Sequence, residues 1–204
     1  MQNVRVINPV EAQLVWMCFV DGENLAIRAR EVAEAAGVHL ANGPWYRRDI
    51  FAWFPGMGAG QPFIVPAARA APPWALRSYY YTSVSGNGVD DEVKQALWNL
   101  GFDPQVFQKT KGDRRKGVDI SLTKDMLSHA FRGNYDVALL FAGDGDYAPL
   151  VDEVKRLGKV VHLCFFQNGL NQALRLGADH FTDITGQFLQ QWRSVSAYKP
   201  PVRR

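Results

Sequence analysis

Acidic side chains that could do chemistry stand at three places in the chain. Asp21 and Glu23 lie in Cys18-Phe19-Val20-Asp21-Gly22-Glu23-Asn24, where one apolar run ends, and Asp144 and Asp146 lie in Gly143-Asp144-Gly145-Asp146-Tyr147, where another ends. The third is Asp119. At about 100° per residue, Val118, Leu122, Met126, Leu127, Ala130 and Phe131 make the apolar face of a predicted helix, and Asp119 points into the middle of that face, with Thr123 one turn on. An aspartate directed at a core is costly unless it is hydrogen-bonded, neutralised or bound to a cation. Each place has an ordinary use by itself: a strand-to-helix turn at 21–24, an N-cap at 144–146, a helix-start acid at 119. Together they suit a different one, because carboxylates that converge repel one another unless a cation sits among them. An oxygen-rich set with few histidines selects a hard ion, Mg²⁺ or Mn²⁺.

Other chemistries find no support. Neither Cys18 nor Cys164 has a CxxC partner, and His39, His129, His162 and His180 show no paired ligand spacing, which argues against zinc. GDGDYAPLVDEV lacks the ligand spacing of a calcium-binding EF-hand loop. The chain has no GxxxxGK[ST], no GxGxxG after its first strand and no GxSxG nucleophile elbow.

The elements that must position the acids alternate between strand and helix. Leu14–Val20 is a continuous apolar run, the pattern of a strand buried on both faces. Helix 23–36, strand 76–84, helix 90–100, a weaker strand 102–107, helix 118–131, strand 136–142, helix 147–157 and strand 159–166 follow, then short helices near 170–176 and 186–192. The pattern predicts an α/β fold, a three-layer α/β/α sandwich on a mainly parallel five-stranded sheet. Such sheets bind ligands at the carboxyl ends of their strands, where Asp21 and Asp144 fall. Residues 1–13 read as an N-terminal arm, 14–193 as the domain, about 40–73 as an insertion rich in Gly, Pro and Ala, and 194–204 as a basic tail.

FVDGEN after the first strand, KGVDISLTKDM on the helix and LLFAGDGDYAPLV after the fourth strand together resemble the NYN domain, in its LabA-like branch of the PIN-like nucleases. The resemblance covers roughly residues 14–185. It implies a PIN-like fold whose clustered acids bind Mg²⁺ or Mn²⁺ and cleave RNA, with Asp21, Asp119 and Asp144 as the main metal ligands and Asp146 as a fourth acid. Asn24 matches the family's amide three residues after the first aspartate. Asp125 matches a recurrent acid of the helix motif, but its helical angle puts it at the edge of the apolar face. Glu23, at the start of a helix, reads as a first-turn acid facing solvent. Phosphodiester hydrolysis by water, with a 3′-oxygen leaving group, is the implied reaction. Asn24 cannot ionise and suits orienting water or a phosphate oxygen.

Nucleic acid also needs positive charge. Lys109, Lys111, Arg114, Arg115 and Lys116 stand together just before the Asp119 helix, where they either grip a phosphate backbone or form a solvated loop. The insertion interleaves Trp45, Tyr46, Phe51, Trp53 and Phe54 with Arg47 and Arg48, a composition suited to stacking bases or to packing against the sheet or a second subunit. The 204-residue chain carries a net charge of +3, too little by itself to establish nucleic-acid binding. Two cysteines in apolar runs, no basic leader before an apolar core and no run of about 18 apolar residues predict a cytoplasmic protein with no membrane partner. The sequence leaves two alternatives: a non-catalytic RNA-binding or regulatory module that keeps the acids, and a Toprim-like use of Asp144 and Asp146. The latter wants a glutamate where Asp21 stands and leaves Asp119 unexplained.

Overall fold

The computed structural model describes residues 14–53, 75–86, 88–109 and 116–196. In chain order the elements are β1 (Trp16–Asp21), α1 (Gly22–Ala35), β2 (Tyr46–Arg47), β3 (Phe51–Ala52), β4 (Ala75–Val84), α2 (Val89–Asn99), β5 (Asp103–Gln108), α3 (Lys116–Phe131), β6 (Val137–Phe141), a single 3-10 turn (Gly145–Tyr147), α4 (Ala148–Arg156), β7 (Val160–Phe165), α5 (Gln172–Gly177), β8 (His180–Asp183) and α6 (Thr185–Ser196). The main sheet has the order β5-β4-β1-β6-β7-β8, and its strands pair in parallel throughout. It therefore has six strands and not the expected five. The added strand is β8, on the edge beside β7, where Phe181 is opposite Leu163 and Thr182 opposite Cys164.

The strand order explains where a site can form. From β1 the chain moves outward through β4 to β5, then α3 carries it back across the sheet to β6, from which it moves outward the other way. Neighbouring strands β1 and β6 thus send their connections in opposite directions, which opens a crevice at their carboxyl ends. Both strands are buried on both faces, as their unbroken apolar runs require.

Two cores lie on opposite faces of the sheet. On one, Leu25, Ala26 and Ala29 of α1, Val93 and Leu97 of α2 and Phe188 and Trp192 of α6 pack with Cys18 and Val20. On the other, Val118, Leu122, Met126 and Ala130 of α3 pack with α4 side chains, Met17 and Phe19. Phe131, expected on the apolar face of α3, is instead 81% exposed at the end of the helix.

The first part of the insertion belongs to the α1 side. β2 and β3 form an antiparallel ribbon, and Tyr46, Phe51 and Trp53 are buried. Trp53 stands edge-on to Phe102 at 4.6 Å and to Phe141 at 5.3 Å between ring centroids. The Tyr80 hydroxyl donates to the Ala52 carbonyl and accepts from the Ala52 N–H, both at 3.1 Å, and Thr82 donates to the Ile50 carbonyl. These aromatics pack against the sheet, so base stacking is not open to Tyr46, Phe51 and Trp53; Phe54 and the rest of the insertion lie outside the described residues. α6 continues to Ser196, three residues into the stretch expected as a tail. No helix among the described residues is long and apolar enough to cross a membrane.

Candidate functional site

Asp21 is the last residue of β1 and the N-cap of α1: its Oδ1 accepts from the Asn24 N–H at 3.1 Å. Strand alternation turns its side chain to the α3 and α4 face, below Gly22, which turns the chain into α1. A Cβ on Gly22 would stand 1.9 Å from the Tyr80 ring, so a glycine is required for the turn to lie this close to the sheet. The turn after β6 repeats the device. A Cβ on Gly143 would stand 2.1 Å from the Phe165 ring. Asp144 then caps the 3-10 turn, its Oδ1 accepting from the Asp146 N–H at 3.1 Å. The Asn24 side chain joins the two turns, its Oδ1 accepting from the Gly143 N–H at 3.0 Å.

Asp119 arrives from α3, and what meets it is Tyr147. The Tyr147 hydroxyl lies 3.0 Å from Asp119 Oδ1 and 3.1 Å from Asp21 Oδ2. A phenol has one proton to donate, so with both carboxylates ionised one of the two contacts sets oxygen lone pairs against each other. The arrangement asks for an extra proton or a cation. Burial pushes the Asp21 carboxyl up to about 7, with the charges of Asp119 and Glu23 adding to the rise against the bonds from Asn24 and Tyr147. Asp119 is raised as well, first by burial and then by the charges of Asp144, Asp146 and Glu23, while the Tyr147 bond opposes. Burial also raises the Tyr147 hydroxyl, assisted by the two aspartates, so the phenol stays a donor.

The four aspartates and Asn24 are thus placed around one crevice, but not as equals. Asp21 is buried, Asp119 is half-buried, and Asp144 and Asp146 are exposed. Among the described residues no three His, Cys, Asp or Glu side chains are arranged as a ready cation cage. The donor chemistry nevertheless suits a hard divalent ion: carboxylate oxygens, no thiolate or imidazole ligand, and two acids short of positive charge.

Glu23 departs from expectation. It does not face solvent: it is 7% exposed, accepts from Ser83 Oγ at 2.5 Å and pairs with Lys109 Nζ at 2.8 Å. Its partners come from the ends of β4 and β5, far along the chain, so the local pattern gave no sign of them. Asp125 accepts from the Tyr81 hydroxyl at 3.1 Å and pairs with Lys124 at 3.3 Å, away from the Tyr147 junction.

Of the basic residues, Lys109 comes to the rim of the crevice. Lys111, Arg114 and Arg115 lie outside the described residues, and Lys116 is placed only as the first residue of α3. Arg47 and Arg48 sit with the β2–β3 ribbon on the opposite face from Asp119 and Tyr147. Arg47 pairs with Glu92 at 3.1 Å and Arg48 with Asp49 at 3.7 Å.

A family model described as NYN domain matches residues 16–185. An uncharacterized protein of Methanocaldococcus jannaschii is 29% identical over 98 residues, covering 48% of this chain and 38% of that protein. The chain therefore matches well under half the length of that relative. The crystal structure of a protein of unknown function from Vibrio parahaemolyticus superposes with a TM-score of 0.56 at 21% identity, over 90% of this chain and 96% of that one. At that identity the likeness speaks for the fold.

Proposed function

The chain belongs to the NYN domain family, PIN-like and nuclease-like in fold, and from that premise we propose that it is a ribonuclease dependent on Mg²⁺ or Mn²⁺. The observation that carries this reading is the Tyr147 junction, which holds Asp21 and Asp119 together at the β1–β6 crevice beside Asp144 and Asp146. Asp21, Asp119 and Asp144 would hold the ion, with Asp146 as a fourth acid. Bound there, it supplies positive charge for the scissile phosphate and makes water acidic enough to attack near neutral pH.

The chain's own groups do the rest. An ionised aspartate accepts the proton that the attacking water loses. Asn24 has its carbonyl oxygen engaged by Gly143, which leaves its NH₂ group to orient a phosphate oxygen or the water. Attack at phosphorus with the 3′-oxygen leaving yields a 5′-phosphate. Lys109 grips the RNA backbone beside the acids, and Lys111, Arg114, Arg115 and Lys116, which follow it in the sequence, add positive charge for the same backbone.

Labelled single-stranded and structured RNAs, incubated in Mn²⁺ or Mg²⁺, test the reading. Cleavage is expected, abolished by excess EDTA and reduced by on the order of 100-fold or more in Asp144→Asn, whose side chain keeps the cap to Asp146. Undiminished cleavage in EDTA, or by well-folded Asp144→Asn, refutes the metal mechanism. The alternative is a non-catalytic RNA-binding or regulatory module that keeps the acids. Binding across a broad RNA panel without cleavage would establish it.

A further inference from the structure

Two cations stand on opposite flanks of the acids, each held in place by the fold. Lys109 directly follows β5. Its N–H donates to the Val84 carbonyl at 2.8 Å, so the backbone ladder fixes its start, and Glu23 fixes its end at 2.8 Å. An ammonium has three donors, and with the side chain 38% exposed those not given to Glu23 can reach solvent. Arg28 lies on α1, one turn beyond Asn24 and on the same helix face. It runs over the loop after β7: a Cβ on Gly169 would stand 2.6 Å from Arg28 Nε. Its ion pair with Glu31, at 2.6 Å, is of the exposed i,i+3 kind that contributes little, so a phosphate that displaces Glu31 loses little.

The ribonuclease reading says what is cut; these two side chains say how the substrate lies, and this inference rests on that reading. We infer that single-stranded RNA crosses the carboxyl edge of the sheet from β5 toward β7. Lys109, positioned by Glu23, holds a phosphate on one side of the scissile bond, and Arg28 holds a phosphate on the other. In the order β5-β4-β1-β6-β7 the acids occupy the middle. Four strand spacings give a track of about 19 Å, near the low end of the ~4–16 nucleotide footprints of grooves that bind single strands. Arg47 and Arg48, on the β2–β3 ribbon and paired with Glu92 and Asp49, take no part.

The experiment measures binding of a fluorescein-labelled 12-nucleotide oligouridine to the Asp144→Asn protein in Mg²⁺, by anisotropy, as KCl is varied. Each phosphate contact contributes about 0.7 to the slope of log affinity against log salt for a single strand. Lys109→Ala and Arg28→Ala should each lower the slope by about 0.7, and the double variant by about twice that. Lys109→Arg and Arg28→Lys should keep it, while Arg47→Ala should leave it unchanged. Glu23→Gln should act as Lys109→Ala does and add nothing to it in the double variant. Tighter binding by Glu23→Gln overturns its positioning role, because a carboxylate that merely repels RNA gives that result. Unchanged slopes in Lys109→Ala and Arg28→Ala overturn the track. If the wild type still cleaves RNA in that case, the ribonuclease reading stands alone; if no RNA is bound at all, both fall.

Discussion

Replacing Asp21 with asparagine should stabilise the metal-free protein, and by an amount that depends on pH. Burial raises the Asp21 carboxyl from 3.8 to about 7 in the folded chain, whereas the unfolded chain leaves it near its ordinary value. The folded state is therefore the one that holds the proton more tightly. Below pH 4 the group is protonated in both states and costs nothing. As pH rises from about 4 to 7 the unfolded chain releases the proton first, and stability is lost; above 7 the loss is complete. Roughly three pH units at about 1.4 kcal/mol each put that loss near 4 kcal/mol. Asparagine keeps its oxygen as an acceptor for the Asn24 N–H, turns its NH₂ to donate to the Tyr147 hydroxyl, which then gives its own proton to Asp119, and carries no charge. Comparing the two proteins cancels the titrating groups that do not sense Asp21; Asp119 and Glu23, whose charges act on it, titrate with it as a set. Urea unfolding in EDTA at pH 4 and pH 8 is the assay. The variant should match the wild type at the lower pH and exceed it by several kcal/mol at the higher. A gain of the same size at both values, or no gain at pH 8, refutes the account of a buried, uncompensated carboxylate. Mg²⁺ should raise the stability of the wild type at pH 8 and do much less for the variant.

Two further perturbations examine the frame around that acid. Tyr147→Phe removes the one hydroxyl shared by Asp21 and Asp119 and should destabilise the metal-free protein by about 2 kcal/mol at pH 8, with a smaller loss in Mg²⁺; thermal melts with and without the ion measure both. Gly143→Ala drives a Cβ into the buried Phe165 ring and should cost about 1–3 kcal/mol in urea unfolding, with cleavage lost even where the protein is folded, because the Asp144 turn must move.

Local pattern and spacing revealed the parts of this fold whose partners are a strand or a helical turn away. The unbroken apolar runs of β1 and β6 identify doubly buried parallel strands, and a parallel sheet places Asp21 and Asp144 at one end of it. The 3.6-residue period of α3 shows Asp119 turned inward, and the structure supplies its partner in Tyr147, three residues after Asp144. The sequence does not single out that tyrosine, because an aromatic after a turn reads as core. Glu23 differs for a related reason: the start of a helix is a good place for a solvated acid, and partners distant in sequence, among them Ser83 and Lys109, 60 and 86 residues on, meet it in the fold. β8 is not legible because His180, Phe181, Thr182 and Asp183 hold a single apolar residue and show no alternation, and its pairing with β7 is what defines it. The aromatics at 45–53 were legible as an unusual cluster, but composition cannot say whether rings face a ligand or a sheet. Tyr80 decides it by holding Ala52 through both backbone groups.

Tyr80 also limits which sequence changes this chain can accept singly. One edge of its ring confines residue 22, while its hydroxyl secures Ala52. A side chain at 22 becomes admissible only after position 80 has been made smaller, and a smaller residue there releases the ribbon that seats Trp53. Mutations in the turn that carries Asp21 and mutations in the ribbon are therefore epistatic through a residue that belongs to neither. A variant library that samples 22 and 46–53 with Tyr80 held fixed explores a narrower space than one that varies all three, and its tolerated sequences would make the two regions look independent when they are not.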